Sequence, residues 1–90
     1  MPNKAGAINM KKILRFTASW CGPCKSLATN LEKINTHIPI EVIDIDVHSE
    51  LAVQYAVRGV PTLVMVESDV ETKRLVGAKS IPELEKWIGN

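Results

Sequence analysis

Residues 16–25 read Phe16-Thr17-Ala18-Ser19-Trp20-Cys21-Gly22-Pro23-Cys24-Lys25, and they contain the only two cysteines of the 90-residue chain. An apolar run ends there and an amphipathic one begins. Cysteines two residues apart at a strand-to-helix junction can close a small disulfide ring, and a helix N-terminus favours the thiolate form. The chemistry this points to is thiol–disulfide exchange. Pro23 falls in the first helical turn, where its missing N–H costs little, and Gly22 lets the backbone approach Cys21 closely.

Working outward, Lys12 to Ala18 form a short, mostly apolar run, with Ile13, Leu14, Phe16 and Ala18, of the kind that fills the middle of a sheet. After the cysteine pair, Leu27, Ala28, Leu31 and Ile34 recur at helical spacing, and Cys24 lies on the same stripe one turn before Leu27. This predicts Cys24 facing in and Cys21 facing out. Cys21 is then the attacking thiolate, and Cys24 the resolving thiol that breaks a mixed disulfide.

Pro39 ends the helical region, and Ile40 to Asp46 is rich enough in β-branched residues to predict a second strand. The long crossover implies parallel pairing. Ser49 is the predicted N-cap of a short helix through Tyr55 that stops at Arg58-Gly59. Leu63 to Val66 is a third strand, Ser68 to Glu71 a polar turn, and Thr72 to Val76 a fourth strand returning as a hairpin closed by Gly77. Ser80, followed three residues later by Glu83, has the pattern of a capping box, with Ile81, Leu84, Trp87 and Ile88 forming one apolar face behind it. The predicted order is β-α-β-α-β-β-α, an α/β chain with a four-stranded mixed sheet and three helices.

Composition bounds the function. With 46% hydrophobic and 23% charged residues the chain reads as one globular domain, and a net charge of +1 without a basic block gives no sign of nucleic-acid or anionic-membrane binding. No apolar run approaches the roughly 20 residues needed to span a bilayer, and Met1 to Asn9 lack the apolar core of a signal peptide. So closely spaced a cysteine pair cannot staple distant parts of a secreted fold. A soluble, cytoplasmic protein is expected, monomeric by default. Met10-Lys11-Lys12 reads like a natural start, so residues 1–9 are taken as an N-terminal extension and residues 10–90 as the single domain. A zinc site built from Cys21, Cys24, His37 and His48 is the rival reading of the pair. The histidines stand further apart than the three to five residues a zinc finger needs, which argues against it.

The segment from Phe16 to Lys25, with its Trp-Cys-Gly-Pro-Cys-Lys core, closely resembles the active-site segment of thioredoxins, and the predicted element order resembles the minimal thioredoxin fold from Lys12 to Asn90. The resemblance implies a protein-disulfide reductase with a redox-active Cys21–Cys24 pair and no bound cofactor or metal. Its electrons would come from a thioredoxin reductase, or from glutathione, and its substrates would be disulfide-containing proteins. It also implies a cis peptide bond at Val60-Pro61. Trp20, Gly22, Pro23, Gly59, Val60, Pro61 and Gly77 then line a substrate groove that pairs with extended segments. Two alternatives share the fold: a non-catalytic interaction module, and an oxidase or isomerase of exported proteins.

The chain also departs from the family pattern. Arg15 and Val42 stand where many thioredoxins carry a buried aspartate and a neighbouring lysine, so the usual general base for the buried cysteine is absent, leaving water or another carboxylate such as Asp44 or Asp46. Asp46 matches a family aspartate near the active-site tryptophan. Thr17 replaces a common tryptophan, and the first strand and helix of full-length thioredoxins are missing.

Overall fold

The structure, a computed structural model, describes residues 10–89; the extension expected over residues 1–9 lies outside them. Four strands and three helices follow the predicted order: β1 (Lys11–Thr17), α1 (Gly22–Glu32), β2 (Ile40–Asp44), α2 (Ser49–Gln54), β3 (Thr62–Glu67), β4 (Val70–Val76) and α3 (Ile81–Ile88). The sheet order is β2-β1-β3-β4, with β1 parallel to β2 and the other pairs antiparallel.

Alternation along the strands separates two cores. Ile13, Leu63 and Met65 face Leu27 and Leu31 of α1 and Leu84 and Ile88 of α3. On the opposite face Leu14, Phe16, Ile43, Val64 and Val66 meet Leu51, Ala52 and Tyr55 around α2. β3 is buried on both faces from Thr62 to Val66, which is why it reads as an unbroken apolar run.

Several boundaries move from their sequence positions. β2 stops at Asp44, not Asp46, because the Asp44 carboxylate accepts the Asp46 N–H at 2.8 Å while its carbonyl accepts from Val47 and His48. The side chain thereby turns the backbone out of the sheet. His48, not Ser49, occupies the N-cap of α2, and no side chain caps that end. The β3–β4 turn is tighter than predicted, since Ser68 and Asp69 both take positive φ (53° and 67°), the geometry of a two-residue hairpin loop.

α3 starts as its sequence predicts. Ser80 Oγ accepts the Glu83 N–H at 3.3 Å, and the Glu83 carboxylate accepts the Ser80 N–H at 3.1 Å, a reciprocal capping box. Ser80→Ala should cost about 1 kcal/mol in denaturant unfolding. The hydrogen bonds from Ser80 hold the Glu83 carboxyl below the usual carboxylate range. A carboxyl depressed in the folded state adds stability above its unfolded pKa and loses it as pH falls through the folded one. Unfolding followed from about pH 5 downward should therefore show a shallower acid decline in Glu83→Gln than in the wild type.

Candidate active site

Three chain segments meet at the end of the sheet where β1 finishes. The β1–β3 register pairs Phe16 with Thr62, so Ala18 to Cys21, leaving β1, come level with Val60-Pro61, which enters β3. β4 pairs Val76 with Thr62, bringing Gly77 to the same end, where its N–H donates to the Pro61 carbonyl at 2.9 Å. Gly77 has φ 97°, a conformation open to glycine and strained for other residues, so its presence here is a backbone requirement.

Cys21 is the N-cap residue of α1. Its Sγ accepts the Cys24 N–H at 3.1 Å, the hydrogen bond an N-cap side chain normally takes. That donor and the positive end of the helix both point at the sulfur, so a negative charge there is stabilised in the reduced protein. Cys21 and Cys24 are joined in a disulfide, with their Cα atoms 5.3 Å apart. Pro23 lies in the first turn of α1, as predicted.

The expected asymmetry of burial is corrected. Cys21 is 4% exposed and Cys24 2%, both packed with Ala18 against Ile45 and Val60. Cys21 is covered because the register lays the Val60 carbonyl 3.8 Å from its Sγ. What distinguishes the two sulfurs is position: Cys21 caps the helix, while Cys24 lies inside its first turn on the inward stripe.

The other residues expected at the site lie on the neighbouring loops. Val60-Pro61 is cis, as the resemblance implied. Thr62, almost fully buried, donates its hydroxyl to the Gly59 carbonyl at 2.7 Å and folds that loop back on itself. Trp20 is 68% exposed, with its indole N–H donating to Asp46 at 2.9 Å. Gly22, Pro23 and Gly59 are exposed, and a Cβ added at Gly22 would meet nothing within 4 Å. Apart from its chain neighbours, nothing crowds Gly22, which leaves the surface beside Cys21 open.

Two clefts lie apart from the disulfide. One of about 300 Å³ is walled by Lys12, Leu14, Glu41, Ile43, Leu51, Gln54, Tyr55 and Asp69. Another of about 240 Å³ is walled by Arg15, Ala28, Leu31, Glu32, Ile40 and Val42. Arg15 is half-buried in this second cleft, where burial lowers its pKa against an opposing pull from Glu32, and Val42 beside it is exposed. Asp44 is committed to the turn after β2 and Asp46 to Trp20.

Among the described residues no group of three or more His, Cys, Asp or Glu could hold a metal ion. His37 is exposed, and His48 lies 3.7 Å from Glu50 at the surface. No helix among the described residues is long and apolar enough to cross a membrane.

A disulfide at a helix N-cap, set against a cis-proline loop at the end of a mixed sheet, defines a protein of the thioredoxin-fold class. A sequence model of the family described as Thioredoxin matches residues 5–90. The chain belongs to the thioredoxin family.

It is 35% identical over 80 residues to mouse mitochondrial thioredoxin, covering 84% of this chain and 48% of that protein, so it spans about half the length of that relative. It is 35% identical over 75 residues to the bifunctional thioredoxin reductase/thioredoxin of Mycobacterium leprae, covering 79% of this chain and 16% of that protein. Among solved structures it is similar to a mutant thioredoxin from Halobacterium salinarum, with TM-score 0.81 and 35% identity over 89% of this chain and 73% of that one.

In the reduced protein a thiol-alkylating reagent should modify Cys21 before Cys24, with half-maximal rate below the pH of roughly 8.5 of a free cysteine. Peptide mapping after partial alkylation reads this directly. Equal labelling of the two would contradict the N-cap placement.

Proposed function

We propose that this chain is a thiol–disulfide oxidoreductase that works in the reducing direction on protein disulfides. The observation that carries the reading is the Cys24 N–H aimed at Cys21 Sγ from the helix N-terminus. The Cys21 thiolate attacks one sulfur of a substrate disulfide; the S–S bond breaks, the other sulfur leaves as a thiolate, and a mixed disulfide forms. Cys24, deprotonated, then attacks Cys21 Sγ and expels the second substrate sulfur. The substrate gains two electrons and the Cys21–Cys24 disulfide is the product. With Arg15 in the position of the family aspartate, the proton of Cys24 goes to water or to another carboxylate such as Asp44 or Asp46.

The surface around the disulfide supports a macromolecular substrate. It is built from exposed Trp20, Gly22, Pro23 and Gly59 with half-buried Val60 and Gly77 beside a buried Pro61, and offers backbone and an apolar ring. An extended segment can pair with the Val60 backbone while its disulfide lies over Cys21. No bound cofactor enters the cycle.

Thioredoxin reductase is the proposed electron donor, supported by the fusion of both names in the Mycobacterium leprae relative; glutathione is the alternative donor. A reductant must work in a reducing compartment, and the cytoplasm is proposed. Both cysteines and the proposed groove come from one chain, so a monomer suffices.

Cys21→Ser should abolish turnover of a protein disulfide, while Cys24→Ser should accumulate a mixed disulfide with substrate, visible by non-reducing gel and intact mass. Comparable activity retained in both variants would remove the assignment.

A further inference from the structure

α2 ends without glycine. Ala56 N–H donates to Val53 O at 3.0 Å and Val57 N–H to Ala52 O at 2.8 Å, the paired bonds of a helix stop whose left-handed position is usually glycine. Here that position is Ala56, at φ 53°. A side chain disfavours this conformation, so a contact from outside the helix helps its two backbone bonds to hold the stop.

Arg74 meets that need. It reaches from β4 to the helix end, with Nη2 donating to the Tyr55 carbonyl at 2.6 Å and Nη1 directed to the Ala56 carbonyl at 3.5 Å. A cation at the negative end of a helix satisfies carbonyls the helix leaves open. Glu71 aims the guanidinium through a two-point pair, accepting from Nε and from Nη2, each at 2.7 Å. Residues three apart on a regular strand point to opposite faces. The β3–β4 register shifts between Met65 and Val66, leaving Thr72 as an extra residue, and this bulge brings Glu71 and Arg74 onto one face.

The stop opens the segment that ends in Val60, whose carbonyl lies 3.8 Å from Cys21 Sγ. At its far end the segment is held by the Thr62–Gly59 and Gly77–Pro61 bonds. Its near end carries the backbone bonds of the stop and the contacts from Arg74. We infer that Arg74, aimed by Glu71 across the Thr72 bulge, is a positioning residue that sets the Val60 backbone for binding an extended substrate. It touches neither cysteine. The inference rests on the proposed pairing of substrate with the Val60 backbone.

The test compares two substrates, a small aromatic disulfide that needs the cysteine pair but not the groove and an extended peptide carrying one disulfide. Arg74→Gln should raise KM for the peptide at least about fivefold with kcat little changed, and leave the rate with the small disulfide unaltered. Adding Ala56→Gly, which removes the strained φ, should bring the peptide KM back toward the wild-type value. An unchanged peptide KM in folded Arg74→Gln overturns the inference. So does an equal slowing of both substrates with loss of helical signal, which would make the contact merely structural.

If Arg74→Gln does not fold, Glu71→Gln replaces it, with a smaller rise in peptide KM expected and an unchanged KM overturning the idea. Cys21→Ser separates the two levels. Undiminished turnover of both substrates in that variant removes the functional reading, whereas an inactive Cys21→Ser beside a normal peptide KM in Arg74→Gln removes the positioning role alone.

Discussion

The antiparallel register of β1 on β3 is the constraint on which the site depends. Pairing Phe16 with Thr62 sets where β1 ends relative to where β3 begins, and so places Cys21 beneath the Val60 carbonyl. The register is strongly specified because both strands are buried. A slip by one residue would turn Ile13 away from α1 and α3, and Leu14 and Phe16 away from α2, exchanging the two cores. The helix then supplies the chemistry. α1 must begin where β1 releases the chain, and Cys21 at its first capping position receives an N–H that a sulfur elsewhere in the fold would lack.

This division brings the proposed site together from three loops. The strands deliver three loops to one end, and each is tied by its own hydrogen bonds: Cys21 N–H to Ala18 O, Thr62 hydroxyl to Gly59 O, and Gly77 N–H to Pro61 O. Trp20 stands over the site from the surface, held by Asp46, which is itself placed by the turn that Asp44 makes at the end of β2.

Much of this was legible in the sequence because its causes are local. The cysteine spacing, the proline in the first turn, the apolar runs and the Ser80–Glu83 box each encode their structure within a few residues. What was not legible depends on distant pairing or on a choice between equivalent partners. An aspartate at a strand end can be solvated or can turn the chain, and only the structure shows that Asp44 does the latter, so β2 came out two residues too long. The burial of Cys21 follows from Val60, thirty-nine residues away, and helical periodicity alone places an N-cap residue outside. Arg74 carried no signal, since its pairing with Glu71 requires a bulge that strand alternation does not reveal. The stop of α2 was hidden too: the sequence places it at Arg58-Gly59, where a glycine stands, whereas the helix caps at Tyr55 and turns at Ala56.

The most direct test of the account is the reduction potential of the Cys21–Cys24 pair, measured by equilibrating the protein in graded dithiothreitol or glutathione buffers and counting trapped thiols by mass. A protein-disulfide reductant requires a value at or below the glutathione poise of roughly −220 to −260 mV, and that is the result expected. A value near about −180 mV or higher would contradict the reducing direction, and failure to form the intramolecular disulfide at any potential would contradict the redox role altogether.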